Sequence, residues 1–164
     1  MREGWTSAVG DYAIAGEWAC KGGLLVVGDA GGSVYAFEGT SGKTRWMKSE
    51  AHAGGMLAMS VQPGGDRVAT VGQDGRVLIW IAEDGEVSRT IELGDDWVEN
   101  VAWSSDGQLL AVSVSRRVHV FRVDGHEVWR SDDHPSTVST IAWSGSDQLA
   151  TACYGRVTFF EASS

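Results

Sequence analysis

Four segments of this 164-residue chain repeat one another, and the interval between them leaves few folds open. Trp18, Val61, Trp103 and Trp143 each stand seven residues before an apolar residue, namely Leu25, Val68, Leu110 and Ala150. The links between them are rich in Gly, Asp and Ser, and successive anchors are 43, 42 and 40 residues apart. A period in that range, filled with short alternating strands and tight turns, marks the blade of an all-β propeller. A blade cannot bury its own two faces, so it needs a neighbour on each side. The repeat therefore specifies architecture in detail and leaves the partner unspecified.

Period-2 alternation between turn signals divides each unit into strands. The second unit predicts strands over Met56–Val61, Arg67–Val71, Arg76–Ile81 and about Val87–Leu93. The third predicts Val98–Trp103, Leu109–Val114, Arg117–Arg122 and Glu127–Arg130. The first gives Tyr12–Trp18, Leu24–Gly28, Ser33–Phe37 and Thr44–Lys48. The fourth gives Val138–Trp143, Gln148–Cys153 and Arg156–Phe160, without an outer strand. Trp5, 13 residues before Trp18, echoes Trp129, 14 before Trp143, and Trp46, 15 before Val61. Residues 2–8 are thus expected to form a displaced outer strand that completes the last blade. Counted outer, inner, middle, middle, the units run over about 1–37, 38–80, 81–121 and 122–164.

These features resemble the WD40-repeat family over essentially the whole chain. His52 and His134 each lie nine residues before an anchor, as the family's Gly-His pair precedes its inner strand. Asp74-Gly-Arg-Val-Leu-Ile-Trp80 matches the family's turn-to-strand segment, and Ser104-Ser-Asp-Gly107 resembles its Ser-Pro-Asp-Gly turn. Phe37, Trp80, Phe121 and Phe160 hold the third-strand aromatic position. The following residue is Glu38, Ile81, Arg122 or Glu161, where the family has Asp, and Val9 and Gly94 replace His in two units. The resemblance implies four blades of four-stranded antiparallel sheet, about half of a typical ring. Three closures follow: a longer protein, which is preferred; a second copy completing eight blades; or, ranked last, a ring of four.

The resemblance also settles how to read the most catalytic-looking set. His52, Thr70, Asp74 and Trp80 match a buried hydrogen-bond chain that pins one family blade together, and that reading outweighs a nucleophilic triad. Only the second unit has the full set. In the fourth, Tyr154 stands in the Asp position, so His134 is expected to be freer or solvent-facing.

No other constellation points to catalysis. His119, His126, Asp132, Asp133 and His134 lack close metal-ligand spacing, so no metal is expected. Gly32 to Trp46, with Thr-Gly-Lys-type turn chemistry before a tryptophan, resembles the repeat of quinoprotein propellers. The other units do not sustain it, so no cofactor is expected and a quinoprotein-type (PQQ-like) cofactor-binding propeller, or an enzyme-complex subunit, stands as the alternative. Phosphate-cradling Gly motifs, nucleophile elbows and convincing carboxylate pairs do not occur.

Charge narrows the partners. Thirteen basic against 22 acidic residues give −9, with no basic run, so nucleic acid and anionic membrane are not expected partners. No stretch approaches the roughly 18 apolar residues of a span, and the N-terminus lacks a signal-peptide core. Cys20 and Cys153 lie in different units and fit reduced, structural thiols, which makes the cytoplasm the default. The expected role is a non-enzymatic scaffold for a protein or peptide, with homodimerisation as one closure. Its contact rim would be formed by the outer-to-inner and middle-strand loops, around Trp97, Asp95, Asp96, Arg116, Arg117, Asp132, His134 and Tyr154. Trp97 has two readings of equal weight: an interface hot spot in an acidic surround, or filler for the histidine missing from its unit.

Overall fold

A computed structural model describes Met1 and residues 3–161. Its first sheet holds β1 (Ala13–Ala19), β2 (Leu24–Asp29), β3 (Val34–Glu38) and β4 (Thr44–Lys48). The second holds β5 (Met56–Val61), β6 (Arg67–Gly72), β7 (Arg76–Ile81) and β8 (Val87–Glu92). The third holds β9 (Val98–Trp103), β10 (Leu109–Val114), β11 (Arg117–Arg122) and β12 (Glu127–Arg130). The last has three strands among the described residues: β13 (Val138–Ser144), β14 (Gln148–Cys153) and β15 (Arg156–Glu161). Each sheet is an antiparallel meander running outward from its first strand, so the four are blades of a half-ring.

Alternation in each strand sends apolar side chains to both faces, and the core accordingly lies between blades. One buried cluster joins blades one and two through Val26, Ala36, Met56 and Val68, among others. A second joins blades two and three through Ile79, Val98 and Val112. The third joins blades three and four through Val118, Val120, Ile141 and Leu149. The inner strand of every blade pairs with a register shift near the rim, either at its start or opposite Ser113/Val114. Such a bulge sharpens the local twist.

The seven-residue spacing of the repeat becomes a pairing register in three blades of four. Trp18, Val61 and Trp103 pair with Leu25, Val68 and Leu110, but Trp143 pairs with Leu149 rather than Ala150. The Ser144–Gln148 turn of blade four is one residue shorter, so seven residues of sequence overshoot the register. The N-terminal segment also differs: residues 3–10 belong to no strand and lie against blade one, and Arg2 is outside the described residues. A strand forms only where a partner edge is available, and an arc of four blades does not bring blade four to this segment.

Trp5 nevertheless occupies a defined place. Its indole N–H donates to the Gly39 carbonyl at 2.9 Å, its ring lies 6.3 Å from Phe37, and it covers Gly42. Trp46, on outer strand β4, treats blade two in the same way. It donates to the Ala82 carbonyl at 2.8 Å, stacks 6.2 Å from Trp80, and covers Gly85. Gly39 and Ala82 each lie two residues beyond their blade's third-strand aromatic. Trp5 therefore sits where the outer strand of a preceding blade would place a tryptophan.

Candidate functional site

The loops of one rim are knitted together by backbone hydrogen bonds. His52 N–H donates to Gly32, Leu93 to Gly75, and His134 to Arg116, at 2.8–3.1 Å. Each bond links the loop entering an inner strand to the turn between the middle strands. Loops anchored in this way make a firm platform on which side chains can be offered to a partner.

Trp97 projects from the loop between β8 and β9, with 52% of its surface exposed, directly after exposed Asp95 and Asp96. Val98, the next residue, is wholly buried and fixes the backbone. The indole is about half exposed, whereas His52 and His134 are buried in their own blades. Behind it, Glu99 on β9 keeps one carboxylate oxygen buried without a partner. Burial raises the Glu99 pKa above the ordinary carboxylate value and the Asp96 charge adds to the rise, against an opposing hydrogen bond from Ser115.

The cations of the rim are engaged with neighbours. Arg116 donates through Nε to the His134 carbonyl at 2.6 Å, and Arg117 pairs with exposed Asp133. The Arg117 hydrogen bond holds the Asp133 carboxyl below its usual range. Asp132 is exposed, and Tyr154 is 92% exposed at the turn between β14 and β15. The accessible rim is thus chiefly acidic and aromatic.

In blade two the four-residue set forms a continuous chain. Trp80 Nε1 donates to Thr70 Oγ1 at 2.8 Å, Thr70 Oγ1 lies 2.8 Å from His52 Nε2, and His52 Nδ1 lies 3.0 Å from Asp74 Oδ1. Arg76 grips Asp74 Oδ2 through Nε at 2.8 Å and Nη2 at 2.6 Å. Burial depresses the His52 pKa more than Asp74 raises it, so the imidazole is neutral near pH 7. Burial works to raise Asp74, but hydrogen bonds from His52 and Arg76 together with their charges bring it below its ordinary value. The side-chain polar atoms of His52, Thr70, Asp74 and Trp80 find partners within the blade.

His134 departs from expectation. It is 5% exposed, and its Nε2 meets Thr151 Oγ1 at 2.8 Å while Nδ1 meets the Arg116 carbonyl at 3.0 Å. A backbone carbonyl replaces the missing aspartate, so His134 is neither freer nor solvent-facing, and it cannot be offered at the rim. His119 pairs instead with Glu127 at 2.8 Å, on the face of blade three. Among the described residues no group of three His, Cys, Asp or Glu could hold a metal ion, and no helix is long and apolar enough to cross a membrane. Cys20 and Cys153 are free thiols.

Sequence reasoning missed the polar devices of the other blades. In blade one, Tyr35 donates its hydroxyl to buried Asp29 at 2.9 Å and accepts from Gly10 N–H. In blade three, Asn100 donates to Ser113 Oγ at 2.8 Å and to the Val138 carbonyl at 3.3 Å, tying blade three to blade four. These pairs fall at different strand positions from Thr70 and His52, so the repeat pattern carried no signal for them.

Comparison with known proteins gives the same architecture. The PQQ_2 family model, described as outer membrane protein assembly factor BamB, matches residues 31–164. Echinoderm microtubule-associated protein-like 2 from Mus musculus is 30% identical over 142 residues, covering 79% of this chain and 21% of that protein. The human F-box-like/WD repeat-containing protein TBL1Y is 25% identical over 136 residues, covering 81% and 25%. The chain thus spans a quarter or less of the curated relatives it matches. The structure of U3-55K superposes with a TM-score of 0.85 at 18% identity, covering 95% of this chain and 50% of that one. The crystal structure of the RRP9 WD40 repeats superposes at 0.80 and 19% identity, covering 89% and 46%.

Proposed function

Because the chain belongs to the PQQ_2 family of propellers and its blades are WD40 repeats, we propose that it is a non-catalytic scaffold presenting its loop rim to a protein or peptide. The observation that carries this reading is Trp97: a large indole, half exposed, next to the exposed carboxylates of Asp95 and Asp96, on a backbone fixed by buried Val98. Exposed aromatic anchors on rigid loops are where interface energy concentrates. The surround of Asp95 and Asp96, with Asp132 on a neighbouring rim loop and a chain charge of −9, selects a cationic segment and repels nucleic acid and anionic membrane. Tyr154 extends the aromatic surface, while Arg116 and Arg117 shape the rim by bracing Asp133 and the His134 loop. Two free thiols in separate blades suit a reducing compartment such as the cytoplasm.

The test is binding of fluorescein-labelled basic, neutral and acidic peptides, followed by anisotropy. The scaffold reading expects saturable binding of basic peptides that is lost in Trp97→Ala. Binding that is equal across the three classes, or unchanged in the variant, overturns it.

A second reading, a quinoprotein-type cofactor propeller, draws on one observation: Trp46 docks over Gly85 as the first unit's repeat outline implies. Titration with pyrroloquinoline quinone would perturb the quinone absorbance in a saturable way if this reading holds. Unchanged spectra would remove it.

A further inference from the structure

Most arginines of this acidic chain are neutralised where they stand. Arg45, Arg76, Arg116, Arg117 and Arg130 each lie beside a carboxylate oxygen, at 3.9 Å or closer. Among the described residues, Arg67, Arg89, Arg122 and Arg156 have no such partner, and the first three line one cleft. The cleft, of about 510 Å³, lies between blades two and three on the rim opposite Trp97, where the β5–β6, β9–β10 and β11–β12 turns gather.

Three strands bring these arginines together. Arg67 opens β6 on the face shared with Ala69 and Val71, and Arg89 lies on β8 on the face shared with Ile91. Those three apolar residues belong to the core between blades two and three, so both arginines leave blade two toward blade three. Arg89 Cδ lies 3.9 Å from where a Cβ on Gly125 would stand, so its stem rests on the turn of blade three. Arg122 ends β11 and lines the cleft from that blade, paired in register with Leu109. Arg67 reaches only Gln62 Oε1, at 3.4 Å, and the side chains of Arg89 and Arg122 have no hydrogen-bond partner among the described residues. The carboxylate in the lining is that of Asp124, whose Oδ1 accepts from the His126 backbone N–H at 2.9 Å. Three positive charges against one negative leave the cleft with an excess of two.

We propose that this cleft binds a phosphate group carried as a monoester. Like charges gathered without a counter-ion repel one another, and an anion seated among them turns that repulsion into attraction. The number of forks selects the anion. One guanidinium is enough for a carboxylate, as Arg76 shows by gripping Asp74 through both Nε and Nη2. Three guanidinium groups from separate strands call for three terminal oxygens and close to two negative charges, which a phosphate monoester supplies and a carboxylate does not. Gln108 adds an amide to the lining, and with Arg89 and Arg122 it is exposed, so the phosphate of a small molecule or of a phosphorylated side chain can enter. The chain charge of −9 does not prevent this, because exposed charges beyond about 8 Å are screened at physiological ionic strength.

Isothermal titration calorimetry on the full chain tests this with inorganic phosphate and with one short Gly/Ala peptide bearing phosphoserine, aspartate or serine at its centre. The phosphoserine peptide is expected to bind saturably, and the aspartate and serine forms at least about tenfold more weakly. Arg89→Gln and Arg122→Gln replace exposed side chains and so spare the fold, which circular dichroism checks. Each is expected to weaken phosphoserine binding by about tenfold or more. Trp97→Ala is expected to leave it unchanged, which separates this cleft from the opposite rim. Inorganic phosphate binding as tightly as the peptide would assign the cleft to small phosphates, and a tighter peptide would assign it to a phosphorylated chain; either supports the proposal. Absence of binding by both phosphate ligands overturns it. So does an aspartate peptide that binds equally well, arginine variants that bind like the wild type, or binding that is lost in Trp97→Ala.

Discussion

Trp80 donates its indole N–H to the Thr70 hydroxyl, and that contact fixes the direction of every hydrogen bond beyond it. An indole can only donate, so Thr70 Oγ1 must accept from it and turn its own proton toward His52 Nε2. His52 is thereby the Nδ1–H tautomer, and Nδ1 donates to Asp74. A neutral imidazole with a depressed pKa is the species this order requires. Thr70→Val keeps the shape but leaves both Trp80 N–H and His52 Nε2 without partners. We expect a loss of about 1–3 kcal/mol for each orphaned group, and about 1–3 kcal/mol for Asp74→Ala. Urea denaturation of the variants measures this, and midpoints equal to wild type would show that the chain contributes nothing.

Stability is expected to decline on the acid side of neutrality for the same reason. The folded state holds His52 below its ordinary value of 6.5, so as pH falls past 6.5 the unfolded chain takes up a proton that the folded chain refuses. The loss continues until pH reaches the depressed folded value. Asp74, also depressed, adds a loss of the same sign at lower pH, below its ordinary 3.8. Denaturant midpoints measured between pH 7.5 and 5 should fall for the wild type and should be flatter for His52→Gln. Parallel slopes would assign the acid sensitivity to other groups.

What could be read beforehand depended on whether a feature resides in side chains or in backbone. Asp74-Gly-Arg-Val-Leu-Ile-Trp80 announced its turn, strand and hydrogen-bond chain because each role needs a particular residue type. The carbonyl of Arg116, which holds His134 in place of an aspartate, has no residue signature, and His134 was misjudged for that reason. The one-residue slip between Trp143 and Leu149 arose in the same way, since Gly145 and Asp147 suit turns of either length. Trp97 was legible as an outlier but its exposure was not, because a loop indole can fold inward or outward at similar local cost.

The docking of Trp46 on Gly85 should be intolerant of added volume. Gly85 has φ +71°, and a Cβ there would lie 2.5 Å from the indole. Gly85→Ala therefore combines left-handed backbone strain with a clash against a buried ring. We expect it to destabilise the chain by more than about 1 kcal/mol, and Trp46→Ala by about 3–5 kcal/mol. Thermal unfolding of both variants would show it. A Gly85→Ala variant as stable as wild type would mean that the indole can slide away, and that this contact does not hold blades one and two in register.

Trp97 should behave in the opposite way. It packs little, so Trp97→Ala is expected to change stability by less than about 0.5 kcal/mol while abolishing capture of a basic peptide. Replacing Asp95 and Asp96 together by Asn should weaken that capture at low salt and leave little difference at high salt. Exposed charges act over a Debye length of about 8 Å at physiological ionic strength, and added salt shortens it. Anisotropy titrations across a salt series separate the two contributions: the indole's share should persist as salt rises, whereas the carboxylates' share should fade. If Trp97→Ala lost stability as well as binding, the indole would be a structural residue of blade three. The acidic loop would then have to bind without an aromatic anchor.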